Sequence, residues 1–315
     1  MKTHDSMGRR LHKATVSTGK KVMTTDLVVH LMEKGHRHGD LSSNFYFKYG
    51  TLKGYSEGHI RNSFTKWSNE VNTEQGGRFF EKVDWQLDTA GSDYHHTIYR
   101  PTLYADNILM NRGLFREYAL PPITRSNSYK HDYGTSAIMA SIEIATMETE
   151  NVRFIFGDEL LERAGVKIMS FDTDHGWLRP DGIFGLEYTD GEKKYYRAFV
   201  LEYDRATEPI KRSANGKKSY EQKFHQYRDF IAKKKYRDAL KLNCGLFVLN
   251  VTTEVSRMKT MKDTAQTLSD GVNNYQLFYA VPHMSGFFKP SHVMTEMFTA
   301  PLLRAGAEPI YLDHI

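Results

Sequence analysis

Asp181, Glu202 and Asp204 are the residues of this chain whose types and spacing could do chemistry. Arg179-Pro180-Asp181-Gly182 precedes an Asp190-Gly191 turn, and Phe199-Val200-Leu201-Glu202-Tyr203-Asp204-Arg205 follows it. Asp-Gly is a strong two-residue hairpin signal, and a hairpin centred on it pairs Asp181 with Val200. Side chains alternate along a strand, so Val200, Glu202 and Asp204 share one face and Glu202 lies diagonally from Asp181. Diagonal neighbours are roughly 7 to 8 Å apart at the backbone. At that separation two carboxylates can hold one hard cation between them. The apolar run before Glu202 reads as a buried strand that carries charge into its end. Against this stands a plainer reading, in which strand-end acids face solvent or pair with neighbours such as Arg205.

Placing these acids calls for a layered α/β structure. A helix is expected over residues 131–148, with Ile138, Ile142 and Ala145 on one apolar stripe and Glu143 beside it. Strands follow over 152–156, 183–188 and 196–203. A helix over 219–240 packs Phe224, Tyr227 and Ile231, and a strand over 246–251 closes the central sheet. A helix near 254–268 and strands near 276–281 and 310–312 complete the layer. Residues 211–241 hold eleven Lys or Arg against three acids, including Lys233-Lys234-Lys235. This is a candidate phosphate track beside the acidic strands, although a solvated helix face has the same composition.

Upstream, residues 23–118 read as a small helical domain with a hairpin. Thr24, Thr25 and Asp26 offer caps for a helix that uses Leu27, Val28, Leu31 and Met32. A second helix is expected over 41–49. Ser56-Glu57 opens a third, in which Ile60, Phe64 and Trp67 recur at helical spacing and His59, Arg61, Asn62, Thr65 and Lys66 face outward. Those outward types can read base edges and phosphates. Residues 76–80 and 95–101 look like two strands of a wing, giving a winged helix-turn-helix. Pro121-Pro122 and the small polar residues after it mark 119–128 as a linker to a second domain over 129–315.

Composition narrows the class. The 315 residues and 40% hydrophobic content suit two cores. One cysteine, Cys244 in an apolar setting, excludes an internal disulfide framework and a cysteine zinc cluster, and fits a core position in a reducing cytoplasm. No segment has the apolar run of a signal peptide or a membrane span. The net charge of +5 equals the charge of residues 1–22 alone, which carry six Lys or Arg and one Asp. That segment reads as a flexible basic arm able to displace counterions from phosphates. His95-His96, His59 and His36-Arg37-His38 lack paired ligand spacing, so surface histidines near a phosphate-rich partner are expected rather than zinc ligands.

Pro180-Asp181 and Glu202 resemble the acidic positions of the PD-(D/E)XK nuclease fold, whose Pro-Asp and Glu-x-Lys strands surround magnesium beside the scissile phosphate. Asp204 stands where that pattern has its lysine. Some members supply the lysine from the following helix, and Lys223 in Ser219-Tyr220-Glu221-Gln222-Lys223-Phe224 occupies such a place. The string Glu202-Tyr203-Asp204-Arg205-Ala206-Thr207-Glu208-Pro209 is similar to the signature of the replication-relaxation family, proteins of plasmids, phages and other mobile elements that join a winged helix to this nuclease-like domain. The resemblance spans roughly residues 23–282. It implies an α/β protein, an N-terminal winged helix-turn-helix followed by a PD-(D/E)XK-like mixed sheet flanked by helices. It implies Mg or Mn on Asp181 and Glu202, with Glu143 as a further acidic ligand, and Lys223 orienting or stabilising. The expected partner is double-stranded DNA, with replication proteins or a second copy of the chain beside it and no membrane. Arg205 joins the Lys233 to Lys235 run and the third-helix residues as DNA contacts. Three functions stay open at this point: metal-dependent nicking of DNA, a non-catalytic DNA-gripping platform, and a transcriptional regulator worked by the winged helix.

Overall fold

A computed structural model describes residues 15–16, 24–71, 77–83, 97–115, 117, 129–206, 209–211, 219–284 and 292–315. The basic arm apart from Thr15-Val16, His95-His96, the linker over 119–128 and Thr207-Glu208 lie outside the described residues. The described residues form two compact units, one from residues up to 115 with 129–140 and 292–293, the other from 117, 141–284 and 294–315.

The first unit starts with α1 (Asp26–His38), whose N-cap is Thr25; the Thr25 hydroxyl accepts the Val28 N–H and meets one of the orphan donors of the first turn. Leu41–Ser42 forms a short strand, β1, and helix α2 begins only at Ser43, running to Leu52. The helix expected from residue 41 therefore starts later, because Leu41 pairs with Tyr99 and Ser42 keeps extended backbone. Helix α3 (Glu57–Asn69) buries Ile60, Phe64 and Trp67, as its periodicity predicts. Strands β2 (Phe80–Lys82) and β3 (Ile98–Pro101) pair antiparallel, with β1 on the other side of β3, and α4 (Leu103–Asn111) follows. An aromatic core of Tyr46, Phe64, Phe80 and Tyr99 joins these elements.

His36 and His38 are not surface residues, contrary to the sequence expectation. They are 7% and 4% exposed. The His36 ring meets Asp106 at 3.1 Å and Phe115, and the His38 ring stacks on Tyr49. Both lie on the inward side of α1, where imidazole serves as a polar packing group.

The second unit is an α/β layer built on a mixed six-stranded sheet. Its elements are the end of helix α5 (Tyr129–Met147), from Ser141 on, then β4 (Val152–Ile155), α6 (Gly157–Ala164), β5 (Gly182–Asp190) and β6 (Lys193–Asp204). Then come α7 (Tyr220–Ala232), α8 (Lys235–Leu240), β7 (Gly245–Thr252), α9 (Val255–Leu268), β8 (Asn273–Ala280), α10 (Glu296–Thr299) and β9 (Leu303–Ala305). The spatial order is β9-β8-β7-β6-β5-β4, with β6, β7 and β8 parallel and the remaining pairs antiparallel.

Strand β5 is buried along most of its length and β6 from Ala198 to Tyr203, which explains their near-continuous apolar runs there. Val200 packs with Ile183, Tyr227 and Phe230 on one face, while Phe154, Phe184, Phe199 and Phe247 stack across four strands on the other. Cys244 packs partly buried against the first of these clusters. Its thiol is pushed up by that burial.

Three sequence expectations change. The helix expected over 219–240 is broken into α7 and α8, because Lys234 takes a left-handed backbone with φ 57°. Residues 310–312 do not form a strand: Ile310 makes only a bridge to Leu302, and the edge strand is β9. Helix α6, unforeseen, is a single short amphipathic segment whose first residue must be small, since a Cβ on Gly157 would collide with the Ile183 carbonyl oxygen.

Candidate functional site

The β5–β6 hairpin turns at Gly191-Glu192, one residue later than expected, because Gly191 supplies the positive φ (57°) and Asp190 pairs with Lys193. Gly182 therefore pairs with Leu201, and Asp181, expected opposite Val200, stands just before the paired strand. A shift of this kind moves a partner by two residues and so leaves every side chain on its original face. Asp181 is anchored at its backbone, donating its N–H to Leu201 O at 3.0 Å, and by its Oδ2, which accepts the Tyr203 N–H at 2.8 Å.

Glu202 is 4% exposed and faces α7. Its Oε2 accepts a hydrogen bond from Lys223 Nζ at 2.8 Å, and its Oε1 accepts a short one from the Tyr227 hydroxyl. Lys223 and Tyr227 are four residues apart on one helix and so present one face. Ser219 caps that helix by accepting the Gln222 N–H at 3.2 Å, which fixes where the first turn, and with it Lys223, stands.

Burial pushes the Glu202 carboxyl up to about 7; Lys223 opposes the shift and the neighbouring Asp181 charge adds to it. Desolvation thus outweighs the ion pair, as expected where a charge leaves water for a dry site. The Tyr227 hydroxyl is held well above its usual value, first by burial and then by Glu202, so it stays protonated and donates.

A pocket of about 310 Å³ opens over this group, lined by Trp177, Arg179, Glu202, Gln222, Lys223 and Gln226 among others. Sequence reasoning placed Asp181, Glu202 and Lys223 in one site; the structure bonds Lys223 to Glu202 and sets the Asp181 charge near enough to raise the Glu202 carboxyl. It missed Tyr227 as a polar partner, having read it only as a packing residue. The signal was the i, i+4 spacing from Lys223.

Asp204 turns to α9. It forms an ion pair with Arg257 at 2.7 Å, both side chains being nearly buried. Glu143 is buried in α5, 3% exposed. Among the described residues no three His, Cys, Asp or Glu side chains gather into a group able to hold a metal ion, so a cation at this site would rest on Asp181 and Glu202.

The lysine run is not an open phosphate track along its whole length. Lys233 bonds Asp174 and, at 2.6 Å, Asp229; Lys235 reaches Asp174 at 2.9 Å and Asp229 at 2.6 Å. The reason is the helix break, which folds the run back over these two acids. Their carboxyls are lowered, Asp174 by Lys233 and Lys235, and Asp229 by the same lysines against the cost of its burial. Lys234 is exposed. Arg205 sits just beyond β6, half-buried.

In the first unit His59, Arg61, Asn62, Thr65 and Lys66 are all exposed on α3. Arg61 pairs with Glu57 at 2.5 Å and lies over the Phe47 ring, and the His59 ring stacks on Tyr55.

Fold and site together define an α/β protein whose helix-flanked mixed sheet ends in a buried carboxylate beside a second acid. The replication-relaxation family model matches residues 18–244. The chain belongs to the replication-relaxation family, and the match takes in Asp181, Glu202, Lys223 and Tyr227. Comparison with curated proteins and with solved structures gives no match. Among the described residues no helix is long and apolar enough to cross a membrane.

Proposed function

We propose that this protein is a cytoplasmic DNA-binding protein of a mobile element that acts in replication or relaxation of DNA, with a PD-(D/E)XK-like nicking site at Asp181, Glu202 and Lys223. The observation that carries the reading is the placement of Glu202 between Lys223 and the Asp181 charge at the floor of an open pocket.

Two carboxylates suit magnesium, which is commonly held by one or two acids with water and substrate phosphate completing its shell. The Glu202 carboxyl is raised first by burial and further by the Asp181 charge, against Lys223, and a cation between the two acids would relieve their repulsion. Asp181 and Glu202 would hold it, and when bound it supplies a Lewis acid and lowers the pKa of water. Lys223 then offers its ammonium to the charge that builds on a phosphodiester. Tyr227 keeps Glu202 oriented by donating to its other oxygen. In the first unit we read a winged helix, with His59, Arg61, Asn62, Thr65 and Lys66 of α3 presented to the major groove.

Incubating supercoiled plasmid with the protein and magnesium or manganese tests this. Relaxed circles that are lost in both Asp181→Ala and Glu202→Ala support nicking. Unchanged topology under either metal, with DNA binding retained in both variants, supports a second reading: a non-catalytic DNA-gripping platform. One observation favours that second reading, since both Glu202 oxygens already have donors and Asp204 is bound to Arg257.

A further inference from the structure

We propose that Trp177 is a stacking platform for an unpaired nucleobase whose phosphate enters the Lys223 pocket. The inference rests on the DNA reading above and adds to it a substrate class, single-stranded DNA.

Trp177 is 62% exposed, and among the described residues no ring or cation packs against its indole. Large apolar side chains in such settings often mark binding surfaces. This one is held still at the backbone. Phe171 and Leu178 exchange backbone hydrogen bonds of 2.9 and 2.8 Å that close the loop. Within the loop, Thr173 Oγ1 accepts the His175 N–H at 3.2 Å, and Asp229 accepts the Asp174 N–H at 3.0 Å. The Gln226 amide donates to the carbonyls of both His175 and Trp177, at 3.1 and 3.2 Å. The Lys233 and Lys235 ion pairs with Asp174 and Asp229 brace the same loop. An exposed indole on a braced loop binds with little ordering cost.

Its neighbours fix the ligand. Trp177 lines the same pocket as Lys223 and Arg179. Arg179 is exposed, and Lys223 keeps 22% of its side chain exposed. A flat apolar ring beside two cations is the pattern that binds single strands, with bases stacked on aromatic faces and phosphates on basic groups. Inside a duplex both faces of each base are already stacked, so the platform selects a strand that is open at this point.

Fluorescence anisotropy tests this with the full chain, a labelled thymidine oligonucleotide of about 15 residues and a labelled duplex of equal length. Trp177→Ala should weaken oligonucleotide binding by at least about five-fold, the low end for one stacked base. Trp177→Phe, which keeps an aromatic face, should restore most of it, and duplex binding should change by less than about two-fold. Oligonucleotide affinity unchanged in Trp177→Ala, or equal loss on oligonucleotide and duplex, overturns the platform while leaving the DNA reading intact. If the unaltered chain binds neither nucleic acid, the proposed function fails and the platform with it.

Discussion

Lys223 Nζ lies 2.8 Å from Glu202 Oε2, one helical turn ahead of the tyrosine that closes on the other oxygen. The cation is partly exposed to the pocket while the carboxylate is buried, so Lys223 faces both ways: toward Glu202 and toward whatever enters. Lys223→Met should therefore lower plasmid nicking by roughly 100-fold or more, the scale for removing a group that meets transition-state charge. Tyr227→Phe, which leaves the ion pair in place, should cost less than about 10-fold. Equal losses in the two variants, measured by conversion of supercoiled to relaxed plasmid, would reject this division of labour.

Glu202 also makes stability depend on pH. Its folded carboxyl titrates at about 7, above its ordinary 4.5. A raised carboxyl binds its proton more tightly in the folded state, so the stabilisation is complete below pH 4.5 and is lost as pH rises through 7. Between pH 5 and 8 the wild-type chain should lose on the order of 2 kcal/mol relative to Glu202→Gln, which has no proton to release. Urea unfolding of both proteins across that range reads the difference directly. A gap that stays flat contradicts the assignment.

How much of this was legible in the sequence follows from which forces are local. An error of one residue in the turn left the strand faces from Gly182 to Leu201 as read, since side-chain parity is unchanged by a two-residue shift. The apolar stripe of α3 was readable because helical period and burial coincide at Ile60, Phe64 and Trp67. Partners set by tertiary placement were not readable. Nothing near Asp204 in the chain announces Arg257, 53 residues on, and nothing in the Lys233 to Lys235 run announces Asp174. Histidine count misled for the same reason: His36 and His38 were judged by type, while their burial depends on how α1 packs.

Asp204 and Arg257 are 10% and 12% exposed at their side chains. The Asp204 Oδ1 is buried without a hydrogen-bond partner among the described residues, so the pair is incompletely satisfied and its net contribution is small. Removing one member is another matter, because the other charge stays nearly buried without this partner. Asp204→Ala should destabilise by roughly 3 kcal/mol, and the Asp204→Ala, Arg257→Met double variant by less than that single change. Denaturant midpoints decide it. Asp204→Lys should gain no nicking activity, since it sets a second cation against Arg257.

Salt dependence of DNA binding separates the lysines of the run. Each phosphate neutralised by a cation contributes about 0.9 to the slope of log affinity against log salt. Lys233 and Lys235 are engaged with Asp174 and Asp229, and their charge is largely cancelled before DNA arrives. Lys234, exposed at the helix break, has no such ion pair among the described residues. Lys234→Ala should therefore lower the slope by close to about 0.9. The Lys233→Ala, Lys235→Ala double variant frees two acids beside the pocket, so it should weaken affinity through added negative charge at every salt concentration tested. It should change the slope by less than that of two released phosphates, about 1.8. Anisotropy titrations at several salt concentrations measure both quantities. A slope that falls by about 1.8 in the double variant would mean that the two lysines leave their acids to bind phosphate.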